Sequence, residues 1–217
     1  TTGAVIQHPA ALNMLRRAGA RVSDDRVRIP RHIVEACVRS APKGFSIFDR
    51  NGRPALELEG RKSYYGTSTA SPRTRDPYTG LIRDTTVADI AFGARIADAL
   101  PNIDWVMPFG SCQDVPALAA DVYEFEAVVS NTTKPMLVIG YSGRGAELIY
   151  EMAACVAGGL EQLRERPFLI LYPEPISPLL WPVESVDRLF VAADLGLPQL
   201  PGPVVQPVRL DTPLPYD

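Results

Sequence analysis

The sequence predicts an α/β fold built on parallel strands. Short apolar runs begin near residues 105, 135, 168 and 197, so candidate strands recur about every 30 residues. Segments in which apolar residues have helical spacing lie between these runs. Continuous apolar runs are typical of strands that are buried on both faces, and their alternation with helices is typical of β-α units.

The chain divides into three segments by the character of this pattern. Residues 1–83 predict a small α+β extension and a loop, residues 84–200 the regular β-α units, and residues 201–217 an irregular tail. The tail is rich in proline, which lacks the donor that a central strand needs. A closed eight-stranded barrel takes roughly 250 residues. Three to four β-α units therefore predict either an open α/β sheet or half of a barrel.

In the first segment, Pro9 to Ala18 predicts a short helix that ends at Gly19. A second helix is expected to start at Pro30 and to bury one apolar face. The runs FSIFDR and ALELEG predict a hairpin, because Asn51-Gly52 between them suits a type I′ turn. SYYG is a candidate further strand, and residues 66–84 have the composition of a loop. The face expected to be buried in the second helix consists of Ile33, Val34, Cys37 and Val38.

In the second segment, Thr86 and Asp89 predict a capping box for a helix that runs to about Leu100. Further helices are predicted over residues 115–130, 145–163 and 183–195, and strands over 105–109, 135–139 and 168–172, with another strand starting at 197. The residues expected to be buried are Val115, Leu118, Val122, Phe125 and Val129 in the first of these helices and Leu148, Met152, Cys155, Val156 and Leu163 in the second.

Composition excludes several classes of protein. Apolar residues make up 46% and charged residues 22% of the chain, which predicts a packed core. No apolar run is long enough to span a membrane, and the first residues, TTGAVIQHP, lead us to expect no secretion signal. Three scattered cysteines indicate neither a disulfide framework nor a zinc site, so a reducing, cytoplasmic location is expected.

Charge is distributed unevenly along the chain. Residues 1–62 carry 12 Lys and Arg against 6 Asp and Glu, whereas residues 63–217 carry 10 against 19. The basic first third is either a solvated face or a docking surface for an acidic partner. Because aromatic residues do not interleave with the basic ones, nucleic acid is not an expected partner.

Candidate site residues follow the predicted strands, because sites in parallel α/β folds lie at the carboxyl ends of the strands. The aromatic rings there could wall a pocket for a tertiary or quaternary ammonium, since ring faces attract such cations. Glu174 could add a counter-charge, and core or rim packing is the alternative role for each ring. The predicted substrate-binding residues are Phe109, Tyr141, Tyr172 and Glu174, with Trp181, Tyr64 and Tyr65 as further candidates.

Other chemistries have weaker support. The loop from Gly140 to Gly145 could cradle a phosphate at a helix N-terminus, but its spacing is G-x-x-G-x-G and an ordinary tight turn explains it as well. Cys112 is the only cysteine in a strand-end loop and has no visible activating base. His8 and His32 lie near helix starts, where a surface or capping role is expected.

Several ordered runs resemble the trimethylamine methyltransferase (MttB-like) family. They include IQHPAALNMLRRAGARV, VRIPRHIVEACVRSAPKGFSIFDRNG, DPYTGLIRDTT with the following DIAFGARIADALPNIDWV, SNTTKP, and ISPLLWPVESVDRLFVAADLGLP, and they span residues 6 to about 198. The resemblance implies a partial TIM-like (β/α) barrel after a small N-terminal α+β extension. It also implies methyl transfer from trimethylamine or a glycine betaine-like amine to a corrinoid protein.

The resemblance further implies that this chain binds no cofactor directly, because the corrinoid is carried by the partner protein. Family members are about twice as long, and the tail after Pro198 departs from their pattern, so truncation is expected and the catalytic residues stay unknown. A non-catalytic remnant and a nucleotide-binding enzyme using the Gly140–Gly145 loop are the alternatives. The sequence is compatible with a homo-oligomer and does not determine the oligomeric state.

Overall fold

The computed structural model describes residues 2–68 and 71–199. The strands there are β1 (Ala4–Ile6), β2 (Arg21–Ser23), β3 (Arg26–Arg28), β4 (Phe45–Phe48), β5 (Pro54–Leu58), β6 (Arg73–Arg75), β7 (Ile82–Asp84), β8 (Met136–Val138), β9 (Leu169–Leu171) and β10 (Leu180–Trp181). The α-helices are α1 (Pro9–Arg17), α2 (Arg31–Ser40), α3 (Val87–Ala99), α4 (Ala120–Val129), α5 (Gly143–Ala157), α6 (Leu160–Glu165) and α7 (Val183–Leu195).

A parallel array of extended segments forms the centre of the fold. β8 and β9 pair in parallel, with Leu137 opposite Ile170. Single parallel bridges extend the array on both sides, and they link Gly66 with Trp105, Ser71 with Gly110, Val106 with Met136, and Leu171 with Gln199. The order of the segments is therefore their order in the chain, with no reversal, which confirms a mixed α/β fold with parallel strands. The described residues do not close it into a barrel.

The two faces of this array are covered by different elements. Met136 and Val138 pack with the helices α3 to α7, whereas Leu137 between them packs against the hairpin of β4 and β5. β9 alternates in the same way, with Leu169 and Leu171 on the helix side. Burial on both faces explains why these strands are continuous apolar runs.

The β4–β5 hairpin covers the amino-terminal ends of the parallel strands. The Phe48 amide donates to the carbonyl of Pro167, just before β9, and the Arg50 amide donates to the carbonyl of Thr133, just before β8. Ile47 and Leu56 are almost completely buried there. The opposite end of the array, where the strands finish, is the end left for a site.

A second small sheet ties the N-terminus to the last helix. Its order is β10-β1-β3-β2, and β1 pairs in parallel with β10. His8 caps α1 by accepting from the Ala11 amide, and its Nε2 lies 2.8 Å from Oδ1 of Asp187 in α7. The expected capping role of His8 is confirmed, and His32 is exposed.

Several elements agree with the sequence pattern. The helix over residues 183–195 and the strand cores near 136 and 169 are confirmed. Thr86 and Asp89 form both hydrogen bonds of a capping box at the start of α3. The predicted strand at 105–109 is an extended segment joined by single bridges rather than a regular strand.

The expected burial of α2 is wrong. None of its residues is buried, and Val34 and Val38 are 46% and 70% exposed. The amphipathic spacing correctly predicts a helix with an apolar face, but periodicity does not show whether a neighbour covers that face.

The helix predicted over residues 145–163 is two helices. Gly158 and Gly159 have φ angles of 89° and 143°, in the region that favours glycine, and they end α5 before α6 begins. The buried face of α5 is also not the predicted one. Ala146, Ile149, Tyr150 and Ala153 are buried, whereas Leu148 and Met152 are partly exposed and Cys155 and Val156 are exposed. Small residues on the buried face allow the helix to approach the strands closely. The prediction relied on the large apolar residues and therefore identified the wrong face.

The remaining differences concern the loops and one helix start. Residues 66–84 are not loop throughout, because β6 and β7 form a hairpin. SYYG forms no strand beyond the bridge at Gly66. The turn at Asn51-Gly52 is not type I′, since Asn51 lacks the positive φ angle which that turn requires. The helix expected from residue 115 begins at Ala120, after a 3-10 turn that leaves Leu118 97% exposed.

The predicted tail at 201–217 lies outside the described residues. Within the ranges that are described, the structure has no helix with the length and apolar character needed to cross a membrane.

Candidate functional site

Polar side chains meet at the carboxyl end of the parallel array. Ser111 and Cys112 follow the segment that ends at Gly110, Tyr141 follows β8, and Glu174 follows β9. Helix α4 adds Asp121 and Glu124, which are both buried. Ser111, Asp121, Glu124 and Tyr141, which are joined by hydrogen bonds, are called the strand-end cluster below.

The centre of this cluster is the contact between Tyr141 and Glu124. The Tyr141 hydroxyl lies 3.0 and 2.9 Å from the two carboxylate oxygens of Glu124, and 2.5 Å from the Ser111 hydroxyl. Glu124 is 3% exposed, whereas Tyr141 is 38% exposed. The cluster therefore connects a buried carboxyl group to the surface through two hydroxyls.

Burial changes the acidity of these groups. It raises the pKa of Glu124, and the hydrogen bonds from Tyr141 and Cys112 oppose that rise. Burial also raises the pKa of the Tyr141 hydroxyl, and the adjacent Glu124 charge adds to the effect. Tyr141 therefore serves as a hydrogen-bond donor to Glu124 rather than as a phenolate.

Cys112 is not placed as a nucleophile. Its side chain is buried, its Sγ lies 3.5 Å from Glu124, and its backbone amide donates to the same carboxylate. Burial, followed by the Glu124 charge, raises the pKa of the thiol to about 12. Since the thiolate is the reactive form, this environment leaves Cys112 inert.

Asp121 occupies the N-terminal end of α5. Its Oδ2 accepts from the Tyr141 amide at 2.7 Å, and a Cβ atom on Gly145 would lie only 1.9 Å from that oxygen. The amide of Gly145 is already used by the capping hydroxyl of Ser142. The loop from Gly140 to Gly145 thus holds a carboxylate of the same chain where a phosphate would bind.

The strand order also argues against a dinucleotide site. Such sites form where the order of strands reverses in an open sheet. The described array follows chain order throughout. The Gly140–Gly145 loop therefore offers neither an open helix N-terminus for a phosphate nor the reversal of strand order that a dinucleotide site needs.

Arg188 in α7 braces the same end of the sheet. Its guanidinium donates to the carbonyl of Gly140 and to the hydroxyl of Ser185, and Ser185 donates to the carbonyl of Glu174. The side chains of Arg188 and Ser185 thus connect the loops after β8 and β9. Burial raises the pKa of Glu174, and the Arg188 charge opposes this. Burial lowers the pKa of Arg188.

The predicted aromatic residues do not form one cage. Tyr141 lies in the strand-end cluster, whereas Phe109 packs against α3, where a Cβ on Gly93 would lie 2.5 Å from its ring. Tyr172 and Tyr64 share the cluster on the hairpin side of the sheet, and Trp181 belongs to the N-terminal sheet. Tyr65 is 68% exposed.

Charge at this end of the sheet is predominantly acidic. Asp121 and Glu124 are buried, and Glu174 is partly buried beside Tyr172, whose pKa is raised by burial and by the Glu174 charge. Arg188 is the only buried basic side chain in residues 2–68 and 71–199. The described residues contain no group of three or more potential metal ligands arranged for one ion.

Sequence reasoning missed Asp121, Glu124 and Arg188, although a signal for them exists. Each is a charged residue on a helix face that is otherwise buried: Glu124 lies four residues from the buried Ala120 and Val128, and Arg188 lies four residues from the buried Ala192. Charged residues are rarely buried unless they are paired, so their position on an apolar face marks a site or a brace.

Comparison with known proteins gives one consistent family. The family model described as trimethylamine methyltransferase (MTTB) matches residues 1–206. The trimethylamine methyltransferase MttB of Desulfitobacterium hafniense (strain DSM 10664 / DCB-2) is 32% identical over 199 residues, which cover 91% of this chain and 40% of that protein. The glycine betaine methyltransferase of D. hafniense (strain Y51) is 25% identical over 89% of this chain and 40% of its own length.

The trimethylamine methyltransferase MttB of Methanosarcina thermophila is 27% identical over 90% of this chain and 42% of its own length. The chain thus spans about two fifths of the length of the curated relatives it matches. A solved structure from Sorangium cellulosum, assigned to the mandelate racemase/muconate lactonizing enzymes, aligns with a TM-score of 0.31 and 13% identity over 64% of this chain and 47% of that chain.

Proposed function

The chain belongs to the trimethylamine methyltransferase (MTTB) family, and we propose that it forms part of an enzyme that transfers a methyl group from a methylated amine to a corrinoid protein. The substrate class is trimethylamine or a glycine betaine-like amine, which are the substrates in the names of its relatives. The acceptor is a corrinoid that a partner protein carries, and it supplies a cobalt that takes the methyl group.

The observation that carries this proposal is the strand-end cluster. Tyr141 presents a partly exposed ring and hydroxyl, and the carboxyl groups of Glu124 and Asp121 lie behind it. A quaternary ammonium has no N–H group to donate to an acceptor, and trimethylammonium has only one. Aromatic faces and negative charge attract both cations. The excess of buried carboxyl groups over Arg188 favours a cation at this end of the sheet.

The residues of this chain would hold and orient the amine. As the C–N bond breaks, its electron pair returns to nitrogen, so the positive charge of the substrate disappears and a neutral amine leaves. Negative groups attract the cationic substrate but not the neutral amine product. The product is therefore bound less tightly than the substrate and is released. This role requires Glu124 to be ionised when substrate binds, which the ammonium charge itself would favour.

The sequential parallel array supports a further part of the proposal. Strands that follow chain order, with helices on one face, are arranged as they are in a (β/α) barrel. We therefore propose that residues 84–200 form the first units of a TIM-like barrel. The β4–β5 hairpin would cover the end of this barrel at which the strands begin.

Ligand binding followed by thermal unfolding tests the proposal. We expect glycine betaine or trimethylammonium to raise the melting temperature, and 3,3-dimethylbutanoate, which replaces the nitrogen of glycine betaine by carbon, to leave it unchanged. Glu124→Gln should weaken the effect, and Glu126→Gln, an exposed residue on the same helix, should preserve it. A rise with NAD and none with the amines would overturn the proposal.

A further inference from the structure

The buried end of the strand-end cluster fixes the direction of its hydrogen bonds. In its ionised form, which a bound cation favours, Glu124 can only accept. The single proton of the Tyr141 hydroxyl therefore points to this carboxylate, whose Oε2 lies 2.9 Å away. The Tyr141 oxygen then has only lone pairs to offer to Ser111, so the Ser111 hydroxyl is the donor in the 2.5 Å contact between them. Donation runs from Ser111 through Tyr141 to Glu124.

The outer end of this series of hydrogen bonds is an acceptor. Since the Ser111 proton is used in the bond to Tyr141, the Ser111 oxygen can offer only lone pairs to a ligand. Among the residues that the structure describes, this oxygen forms a hydrogen bond with Tyr141 alone. Ser111 is partly buried, and Tyr141 is 38% exposed. The charge of Glu124 polarises both hydroxyls and makes Ser111 a stronger acceptor.

The backbone holds Ser111 in place. Its amide donates to the carbonyl of Ser71 at 3.0 Å, and its carbonyl accepts from Nε2 of Gln113 at 3.0 Å. The Thr85 hydroxyl donates to the same Ser71 carbonyl at 3.1 Å. A fixed acceptor distinguishes ligands that can donate to it from those that cannot, because a ligand without a donor leaves the acceptor unpaired.

We propose that Ser111 selects methylated amines that keep one N–H group, an inference that rests on the proposed function. The N–H of a tertiary ammonium would donate to the Ser111 oxygen while its methyl groups lie against the Tyr141 ring. A quaternary ammonium would place a methyl group against that oxygen and exclude water from it, which leaves it without a donor. When the C–N bond breaks, its electron pair returns to nitrogen and the N–H stays there. Ser111 therefore accepts a hydrogen bond and moves no proton.

Calorimetric titration with trimethylammonium and tetramethylammonium at neutral pH tests this inference, because the two cations differ only in the replacement of N–H by N–CH3. We expect the unaltered chain to bind trimethylammonium about tenfold more tightly, the effect of one hydrogen bond to a charged group. Ser111→Ala should remove this preference by weakening trimethylammonium binding alone, and Ser111→Thr, which keeps the hydroxyl, should retain it. Ser130→Ala, which removes an exposed hydroxyl after α4, should bind both cations like the unaltered chain.

Equal affinities of the unaltered chain for the two cations, or tighter binding of tetramethylammonium, would overturn the inference. A preference that persists in Ser111→Ala would overturn it as well. Each of these outcomes leaves the proposed function in place, because a methylated ammonium still binds. If neither cation binds, the proposed function fails and this inference fails with it. The comparison of the two cations on the unaltered chain needs no variant, so it decides the inference even if Ser111→Ala does not fold.

Discussion

The carboxylate of Asp121 lies so close to Gly145 that a methyl group on that residue would stand 1.9 Å from Oδ2. The contact places a negative charge at the first turn of α5, where it faces the positive end of the helix. It also fixes the Tyr141 amide, which donates to the same oxygen. A residue without a side chain is thus required for the site to have this form.

Gly145→Ala should lower the free energy of unfolding by about 1–3 kcal/mol, the range for overpacked positions. The cause is the overlap with Asp121, so the cost should shrink when the substitution is made together with Asp121→Ala. Chemical denaturation of the two single variants and the double variant measures the coupling. Strictly additive effects would show that the close approach is not the cause.

Tyr141→Phe should lower the free energy of unfolding by about 1–3 kcal/mol, because it leaves the buried Glu124 carboxyl without its hydroxyl donor. The substitution keeps the ring and its packing. Tyr123→Phe on α4 provides the control, since Tyr123 is 44% exposed. If both variants unfold at the same denaturant concentration, the Tyr141–Glu124 bond does not stabilise the fold.

Stability should depend on pH through Glu124. Its pKa in the folded protein is raised above the ordinary value of 4.5, chiefly by burial. The folded state therefore keeps the proton to a higher pH than the unfolded chain does, and the stabilisation it contributes is complete below pH 4.5 and is lost as pH rises through the raised value.

Glu124→Gln removes this titration and keeps an acceptor for Tyr141. We expect the wild type to lose stability relative to this variant as the pH is raised from 4 to 8, measured by urea unfolding at each pH. The Glu126→Gln variant should follow the wild type. Parallel curves for the wild type and Glu124→Gln would contradict the raised pKa.

The β4–β5 hairpin should be essential to the stability of the parallel array. Ile47 is completely buried between the hairpin and the strands, so Ile47→Ala should cost about 2–5 kcal/mol. Val38→Ala on the exposed face of α2 should change the free energy of unfolding by less than about 0.5 kcal/mol. Similar costs at both positions would mean that the N-terminal extension does not pack as described.

Strand positions were predictable because burial on both faces leaves a plain apolar run, as at Met136–Val138 and Leu169–Leu171. The exposure of the apolar face of α2 and the identity of the buried face of α5 were not predictable. A periodic pattern gives the apolar side of a helix, but Val38 and Ala153 show that it does not identify the neighbour, or its absence. Small residues such as Ala146 and Ala153 carry the closest contacts and contribute little to the pattern.

The sequence predicts which loops meet at one end of the sheet, but only some of the residues that gather around them. Chain segments that end at the same edge of a parallel sheet bring Tyr141 and Glu174 to one end, as expected. Glu124 and Arg188 reach that end from helices, far from the strand-end loops in sequence. Phe109 turns towards Gly93, because a glycine in α3 leaves room for its ring, and no local pattern around Phe109 indicates this.

The pairing of β1 with β10 sets an order of events during synthesis. The parallel segments each bond to the next one along the chain, so they can assemble in turn as the polypeptide leaves the ribosome. Val5 and Gln7 donate to the carbonyls of Leu179 and Trp181, and they have no such acceptors until those residues emerge. Closing so long a loop is entropically costly. The amide protons of Val5 and Gln7 should therefore be among the last to gain protection in pulsed hydrogen-exchange measurements of refolding.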